Sequence, residues 1–262
     1  MTNGIGSIGE CWRYPVKSLQ GVCADAVDLT AGGVRGDRAF GLLEVGSGRL
    51  MSAKRFSALL TAAADDEAIT LPDGRVLALD GADVDARLSE WLGRSVHLAT
   101  PAGTAGLAYE MTLDPPNDDA ELFEIPVPDG TFVDLSPLHL LSTATLRGCA
   151  VAAGGLDWDR RRFRPNLVIE SDGAAFEENG WSALELAVGS EAVIRVIRPT
   201  VRCAMPLRAQ PRLGGEPALE RQPGLFAAMS ELNAAMPNHL GAYAEVVTPG
   251  RVAVGDAVVA LG

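Results

Sequence analysis

The sequence predicts a mainly β protein of the α+β class, on three observations. Short apolar segments of strand length recur and stop at Gly, Pro or Asp, as in "AITL" before "PDG" and "RVLAL" before "DG". Helical stretches are few and brief. No apolar run approaches the ~20 residues of a membrane span, and 47% apolar with 21% charged residues is the composition of an ordinary soluble globular chain.

The 262 residues suffice for one large domain or two modest ones. Residues 1–100 read as a β-rich unit of hairpins, with "VCADAVDL" before "TAGGVRGD" and "FGLLEVG" before "SGR". Within it "DVDARLSEWLG" predicts a short helix, with Asp83 or Asp85 as N-cap and Gly93 beyond its end. Residues 101–130, rich in Pro, Gly and Asp, read as a connecting segment, loop or lid.

The second unit, residues 131–262, opens with "DLSPLHLLSTATLRGCAVAAGG". Ser136 suits a cap, Pro137 a first helical turn, and Gly154 and Gly155 stop the run, so the whole stretch predicts a helix. Strands follow in "PNLVIE", "LELAVG" and "AVIRVIRP". Arg164 precedes Pro165, which predicts extended backbone there. A helix around "PGLFAAMSELNAAM" and a closing hairpin about Pro249 and Gly250 complete the unit.

A net charge of −12 argues against a general nucleic-acid or anionic-membrane surface. The first residues lack the basic and apolar regions of a signal peptide, so a cytoplasmic location is expected. Yet "DWDRRRFRPN" gathers Arg160, Arg161, Arg162 and Arg164, and "YPVKS" and "GDR" add Lys17 and Arg38. Such a cluster either holds an anion or pairs with acids such as Asp157 and Asp159. The four cysteines are scattered, with no CxxC pair and no dense spacing, so neither a zinc knuckle, an iron–sulfur cluster nor a disulfide scaffold is indicated. Cys11, Cys23 and Cys149 read as packing residues. Cys203, in "RPTVRCAMPL", is open to three readings: a buried small residue, a reactive thiol, or a soft metal ligand. Arg202 beside it favours a thiolate.

Taken together, "RYPVKSLQG", "GVRGDRAFGLLE" and "GRLMSAKRF" resemble the β-barrel domain that precedes a MOSC domain. "DLSPLHLLSTATL", "RRFRPNLVIE", "VRC" and "GAYAEVVTPGRVAVGDAVV" resemble the MOSC domain itself, the family named from the C-terminal part of molybdenum cofactor sulfurases. The resemblance implies an N-terminal β-barrel domain followed by a MOSC β-barrel with flanking helices, and the molybdenum cofactor between them. It also implies that Cys203 binds molybdenum through sulfur and is the catalytic residue, with Arg202 beside it as a cofactor-binding residue. Lys17, Ser18 and Arg38 from the first unit, and Ser142, Thr143, Arg164 and Asn166 from the second, would grip pterin or phosphate. Pyridoxal phosphate binding is also attached to the family, and none of these residues is assigned to it.

Simpler roles stand beside these. Ser142 and Thr143 can bond back to helix carbonyls, Arg38 can neutralise Asp37, and Asn166 can fix the loop before its strand. Arg160, Arg161 and Arg162 take no family role and read as surface or phosphate-steering charge. Reductases of the amidoxime-reducing type continue past the cysteine with Thr-Thr-Val-Asp-Pro and a Thr-Gly turn, whereas this chain has "AMPLRAQPRLGG", Ala204 to Gly215. Contacts around the metal must therefore differ.

The implied activity is reduction of an N-hydroxylated or N-oxide small-molecule substrate. Two alternatives are a sulfur carrier with a Cys203 persulfide and a cofactor-binding or delivery protein without turnover. No G-x-G-x-x-G fingerprint is present in a strand-to-helix setting, so a separate electron-donor reductase or carrier is expected.

Overall fold

A computed structural model of the chain describes residues 3–102, 106–112, 114, 117, 119–212 and 217–261. Its centre is a closed barrel of seven strands. In order around the wall they are Asn3–Arg13, Leu167–Glu170, Leu138–Ser142, His239–Thr248, Ala192–Val201, Glu185–Val188 and Ala257–Leu261, which pairs back onto the first. Alternation along strands such as Ala192–Val201 sends Ile194 and Val196 inward, where they meet Ile8, Leu140, Ile169, Leu186 and Val258. Closure leaves no unpaired edge in this ring.

The opening strand is thus part of the C-terminal barrel. Ser7 faces Glu170 and Cys11 faces Leu167 across one seam, while Asn3 faces Ala260 across the other. The chain then leaves to build the remaining N-terminal structure. Gly41–Glu44 pairs with Val96–Ala99, and Ala68–Thr70 forms with Val76–Ala78 the hairpin expected around "PDG". Helix α1, Val84–Leu92, follows Asp83 as its N-cap residue and ends at left-handed Gly93. A second core of Leu19, Leu42, Met51, Leu59, Leu60, Ile69 and Leu88 fills this unit, and Cys203 and Met205 from the barrel side pack against it.

Three expectations are corrected here. The predicted helix from Ser136 is two elements: the strand Leu138–Ser142, then helix α2, Thr143–Ala152, whose N-cap is Ser142 accepting from the Ala144 N–H at 3.1 Å. All five strand residues are buried, because this strand runs parallel to Leu167–Glu170 and is covered on both faces. A short run apolar on every side carries no period by which strand and helix can be told apart.

The closing hairpin is also absent. His239–Thr248 pairs with Ala192–Val201, but Gly250–Ala253 crosses to pair with Ala26–Thr30. Pro249, which has no N–H to donate, marks the departure, and a Cβ at Gly250 would lie 2.7 Å from that of Glu191. Lastly, the connecting segment holds a hairpin of its own, Ala108–Met111 with Phe123–Pro126, which buries Tyr109; residues 103–105, 113, 115, 116 and 118 of that segment lie outside the described residues. Helix α3, Gly224–Leu232, lies where the sequence predicts it and packs Leu225 and Met229 beside Cys149 of α2. Among the described residues no helix is long and apolar enough to cross a membrane.

Because Asn3–Arg13 closes the barrel, residues 131–262 expressed alone are expected to lack a cooperative thermal transition by circular dichroism. Co-expression with residues 1–130 should restore it. A sharp transition in the isolated segment would show that the ring closes without its first strand.

Candidate functional site

Cys203 lies two residues beyond the end of the strand Ala192–Val201, and its side chain is partly exposed on the wall of a cleft. The N-terminal part contributes Lys17, Ser18, Arg38, Ser52 and Lys54 to that cleft. The barrel part contributes Asp134, His139, Arg164, Asn166, Arg202 and Tyr243. Three of the non-glycine residues with positive φ lie here: Ser18 at 70°, Arg38 at 48° and Arg164 at 55°. Left-handed backbone in such residues costs on the order of 1–3 kcal/mol each. The value at Arg164 corrects the extended conformation expected before Pro165. Burial of its side chain against Tyr14 and the Leu19 carbonyl overrides the local preference.

The cleft gathers five cations, Lys17, Arg38, Lys54, Arg164 and Arg202, against one lining carboxylate, Asp134. Lys17 and Lys54 share that carboxylate, Lys54 at 2.8 Å, and Lys17 also donates to the Phe132 carbonyl at 2.8 Å. The Lys54 ammonium lies 4.0 Å from the centre of the Tyr109 ring. Burial opposes the charge on each partner, yet the two ammonium groups hold the Asp134 carboxyl below the usual carboxylate range. Asp134 likewise outweighs burial at Lys54 and raises it. At Lys17 burial prevails over Asp134, with Lys54 adding to it, and brings the amine down to about 8.

The arginines are stacked and tethered. Arg38 pairs with Asp37, and its guanidinium carbon lies 4.7 Å from the Tyr14 ring centre. Arg164 lies 4.0 Å from the same ring and donates to the Leu19 carbonyl at 2.7 Å. Burial, reinforced by Arg38, lowers Arg164 to about 10. Arg202 donates to the Phe163 carbonyl at 2.8 Å, and its Nη1 lies 3.3 Å from Nε2 of His139. Burial and then Arg202 keep His139 well below the ordinary imidazole range, so the ring is neutral.

Of the residues singled out in the sequence, Lys17, Ser18, Arg38, Arg164, Asn166, Arg202 and Cys203 come together in this cleft. Ser142 and Thr143 do not line it. Ser142 caps α2 and bonds to Glu177, while Thr143 exchanges hydrogen bonds with the Ser171 backbone. Asn166 spends its amide on structure, accepting from the His139 N–H at 3.1 Å and donating to the Trp12 carbonyl at 3.4 Å. The Ser18 hydroxyl accepts from the Ala53 N–H at 3.0 Å.

The arginine run is not steering charge. Arg160 pairs with Glu10, Arg161 with Asp159, and Arg162 is fully buried. Arg162 donates to the carbonyls of Pro206, Arg208 and Glu220 and to Asp157, and so clamps the segment that follows Cys203. In the stretch after Cys203, Met205–Leu207 forms a buried 3-10 turn; Leu213 to Gly215 lie outside the described residues. Cys11 and Cys149 are buried, with thiols pushed up to about 12 by burial, whereas Cys23, expected to be a packing residue, is exposed.

Sequence reasoning missed Lys54, Asp134, His139 and Tyr243. All four sit inside quoted stretches, "GRLMSAKRF", "DLSPLHLLS" and "GAYAEVV". A signal was therefore present, but no spacing in the chain announces that they converge.

The fold and cleft define a β-barrel protein with a cationic, thiol-bearing site formed where its N-terminal part meets the barrel. The chain belongs to the MOSC domain family: the MOSC domain matches residues 128–259, and the MOSC N-terminal beta barrel domain matches residues 5–94. It is 27% identical over 297 residues to mitochondrial amidoxime-reducing component 1 of Homo sapiens, covering 98% of this chain and 84% of that protein. It is also 27% identical over 237 residues to mitochondrial amidoxime reducing component 2 of Bos taurus, covering 77% of this chain and 66% of that one. The YuaD protein from Bacillus subtilis superposes with a TM-score of 0.46 at 11% identity, over 99% of this chain and 98% of its own.

With Lys17 lowered to about 8, its charge is lost as pH rises through that value, whereas below it the ammonium is present. Binding of inorganic phosphate by the cleft, measured by titration calorimetry, is expected to weaken between pH 7 and 9. Lys17→Met should bind more weakly and flatten the profile. An unchanged affinity across that range would place the phosphate away from Lys17.

Proposed function

We propose that this chain is a molybdenum-cofactor-dependent oxidoreductase that reduces N-hydroxylated or N-oxide compounds, with Cys203 as the protein's sulfur ligand to the metal. One observation carries the reading: Cys203 and five cations line one cleft that has a single carboxylate. The donor set fits the group. A phosphate calls for guanidinium forks and compact ammonium charge, a polar pterin for neutral donors, and molybdenum for a soft thiolate. Among the described residues no three His, Cys, Asp or Glu side chains converge as a metal cluster. A metal here would thus arrive in its own organic ligand and take one protein sulfur. The names of the relatives support a reductase.

When bound, the cofactor supplies a redox-active Lewis-acid centre able to take an oxygen atom from substrate. The chain does the rest. Lys17, Arg38, Lys54 and Arg164 would hold phosphate and pterin oxygen, and the Ser18 hydroxyl would offer a neutral donor. Arg202 forms the wall beside Cys203. Leu135 and Val201, exposed at the mouth, border the way in for a small-molecule substrate. Ser142 and Thr143 are left to the α2 cap and the Ser171 backbone. The electron donor is a separate reductase or carrier that docks at the same mouth.

Cys203→Ser replaces a soft donor by a hard hydroxyl. It is expected to abolish reductase activity while the protein, made in a host that synthesises the cofactor, keeps most of its pterin. Unchanged activity would remove Cys203 from the metal.

Purified protein shown to contain molybdenum is expected to be inert toward hydroxylamines with NADH or NADPH alone, and active with reduced viologen. Turnover on a nicotinamide alone would contradict a separate donor. Inactivity with viologen, together with a cyanide-releasable sulfur on molybdenum-free protein, would establish the persulfide carrier instead.

A further inference from the structure

His139 is a buried residue on the cleft wall, set apart from the groups that would hold phosphate and pterin. Its Nε2 lies 3.3 Å from Arg202 Nη1. A guanidinium only donates hydrogen bonds, so this contact is a hydrogen bond in the tautomer whose Nε2 is bare, a neutral imidazole with its proton on Nδ1. Main-chain hydrogen bonds to Arg164 and Leu240 act on the same ring. Arg202 depends on this acceptor. Its Nη2 is tied to the Phe163 carbonyl at 2.8 Å, while its Nε is buried without a hydrogen-bond partner. The guanidinium is thus set by the Phe163 carbonyl, by His139, and by the Phe163 ring, whose centre lies 5.4 Å from its central carbon.

The ring's place is itself fixed. Gly241 has a φ of 81°, and a Cβ built there would come within 2.4 Å of His139 Nε2 and 2.6 Å of the Leu140 carbonyl oxygen. Only glycine leaves room for the imidazole. Tyr243, two residues on, tilts across the ring with 6.0 Å between centroids.

We infer that His139 is a positioning residue: as a neutral acceptor it aims the Arg202 guanidinium along the wall that carries Cys203, and so orients the group bound there. The effect on catalysis rests on the cofactor reading, whereas the His139–Arg202 arrangement does not.

Two experiments test it. Nitrogen-15 NMR of the full, unloaded chain at neutral pH, with the resonance assigned by its loss in His139→Gln, is expected to show protonated Nδ1 and bare Nε2. A proton on Nε2 would overturn the inference. In cofactor-loaded protein with reduced viologen, His139→Leu should lower kcat by about tenfold or more, the usual scale for losing a residue that orients a ligand. Molybdenum content and Tm should stay near wild type. His139→Gln, whose side-chain oxygen can still accept, should recover most of the rate. Equal losses in both variants, or full kcat in His139→Leu, would refute the positioning role. If the wild-type chain takes up no molybdopterin, the cofactor reading fails by itself and the NMR result alone decides the His139–Arg202 pair.

Discussion

The pairing of Asn3–Arg13 with Leu167–Glu170 is the constraint on which the cleft depends. It closes the barrel, and it sets Trp12 against Asn166 through a 2.8 Å backbone bond and the Asn166 amide. The two segments then leave that seam side by side. Tyr14, Lys17 and Ser18 emerge from one, and Arg164 from the other, so residues about 150 positions apart arrive at one ring, that of Tyr14. Arg38 is held to the same place by donation from its own N–H to the Tyr14 carbonyl at 2.8 Å. If the seam slipped by one residue, the side chains along it would exchange faces and the site would come apart.

Unfavourable terms are concentrated at the cleft. A chain with net charge −12 buries cations there, and the environment answers by lowering Lys17 to about 8 and Arg164 to about 10. Left-handed backbone at Ser18, Arg38 and Arg164 adds strain at the same spot. Costs of both kinds persist only where the surrounding structure over-determines them, and they mark functional sites. An anionic ligand would offset the first kind directly, and its binding would then stabilise the fold.

Members of one family can share such a cleft and differ in how they brace it. Here the segment after Cys203 has no hydroxyls to spare, and the buried Arg162 holds it by three main-chain carbonyls. A cation enclosed among carbonyls and Asp157 is rigid, and truncating it would leave several acceptors unpaired.

Some of this was legible in the chain alone. The strand signals, α1 with its Gly93 stop, α3, and the family resemblance carried by "YPVKS", "GDR", "FRPN" and "VRC" all follow from local residue chemistry, because turns, caps and motifs are written over a few adjacent positions. Other features were decided only by tertiary contacts. "LHLLS" is a strand because two neighbouring strands and a covering helix bury it on every side. Ser142 serves helix α2 because the N-cap falls there, six residues later than Ser136, and Thr143 is held by the Ser171 backbone. Arg162 is interior, although it reads as surface charge. His139, Lys54, Asp134 and Tyr243 enter the site through barrel closure, a contact between distant segments that no short-range pattern records.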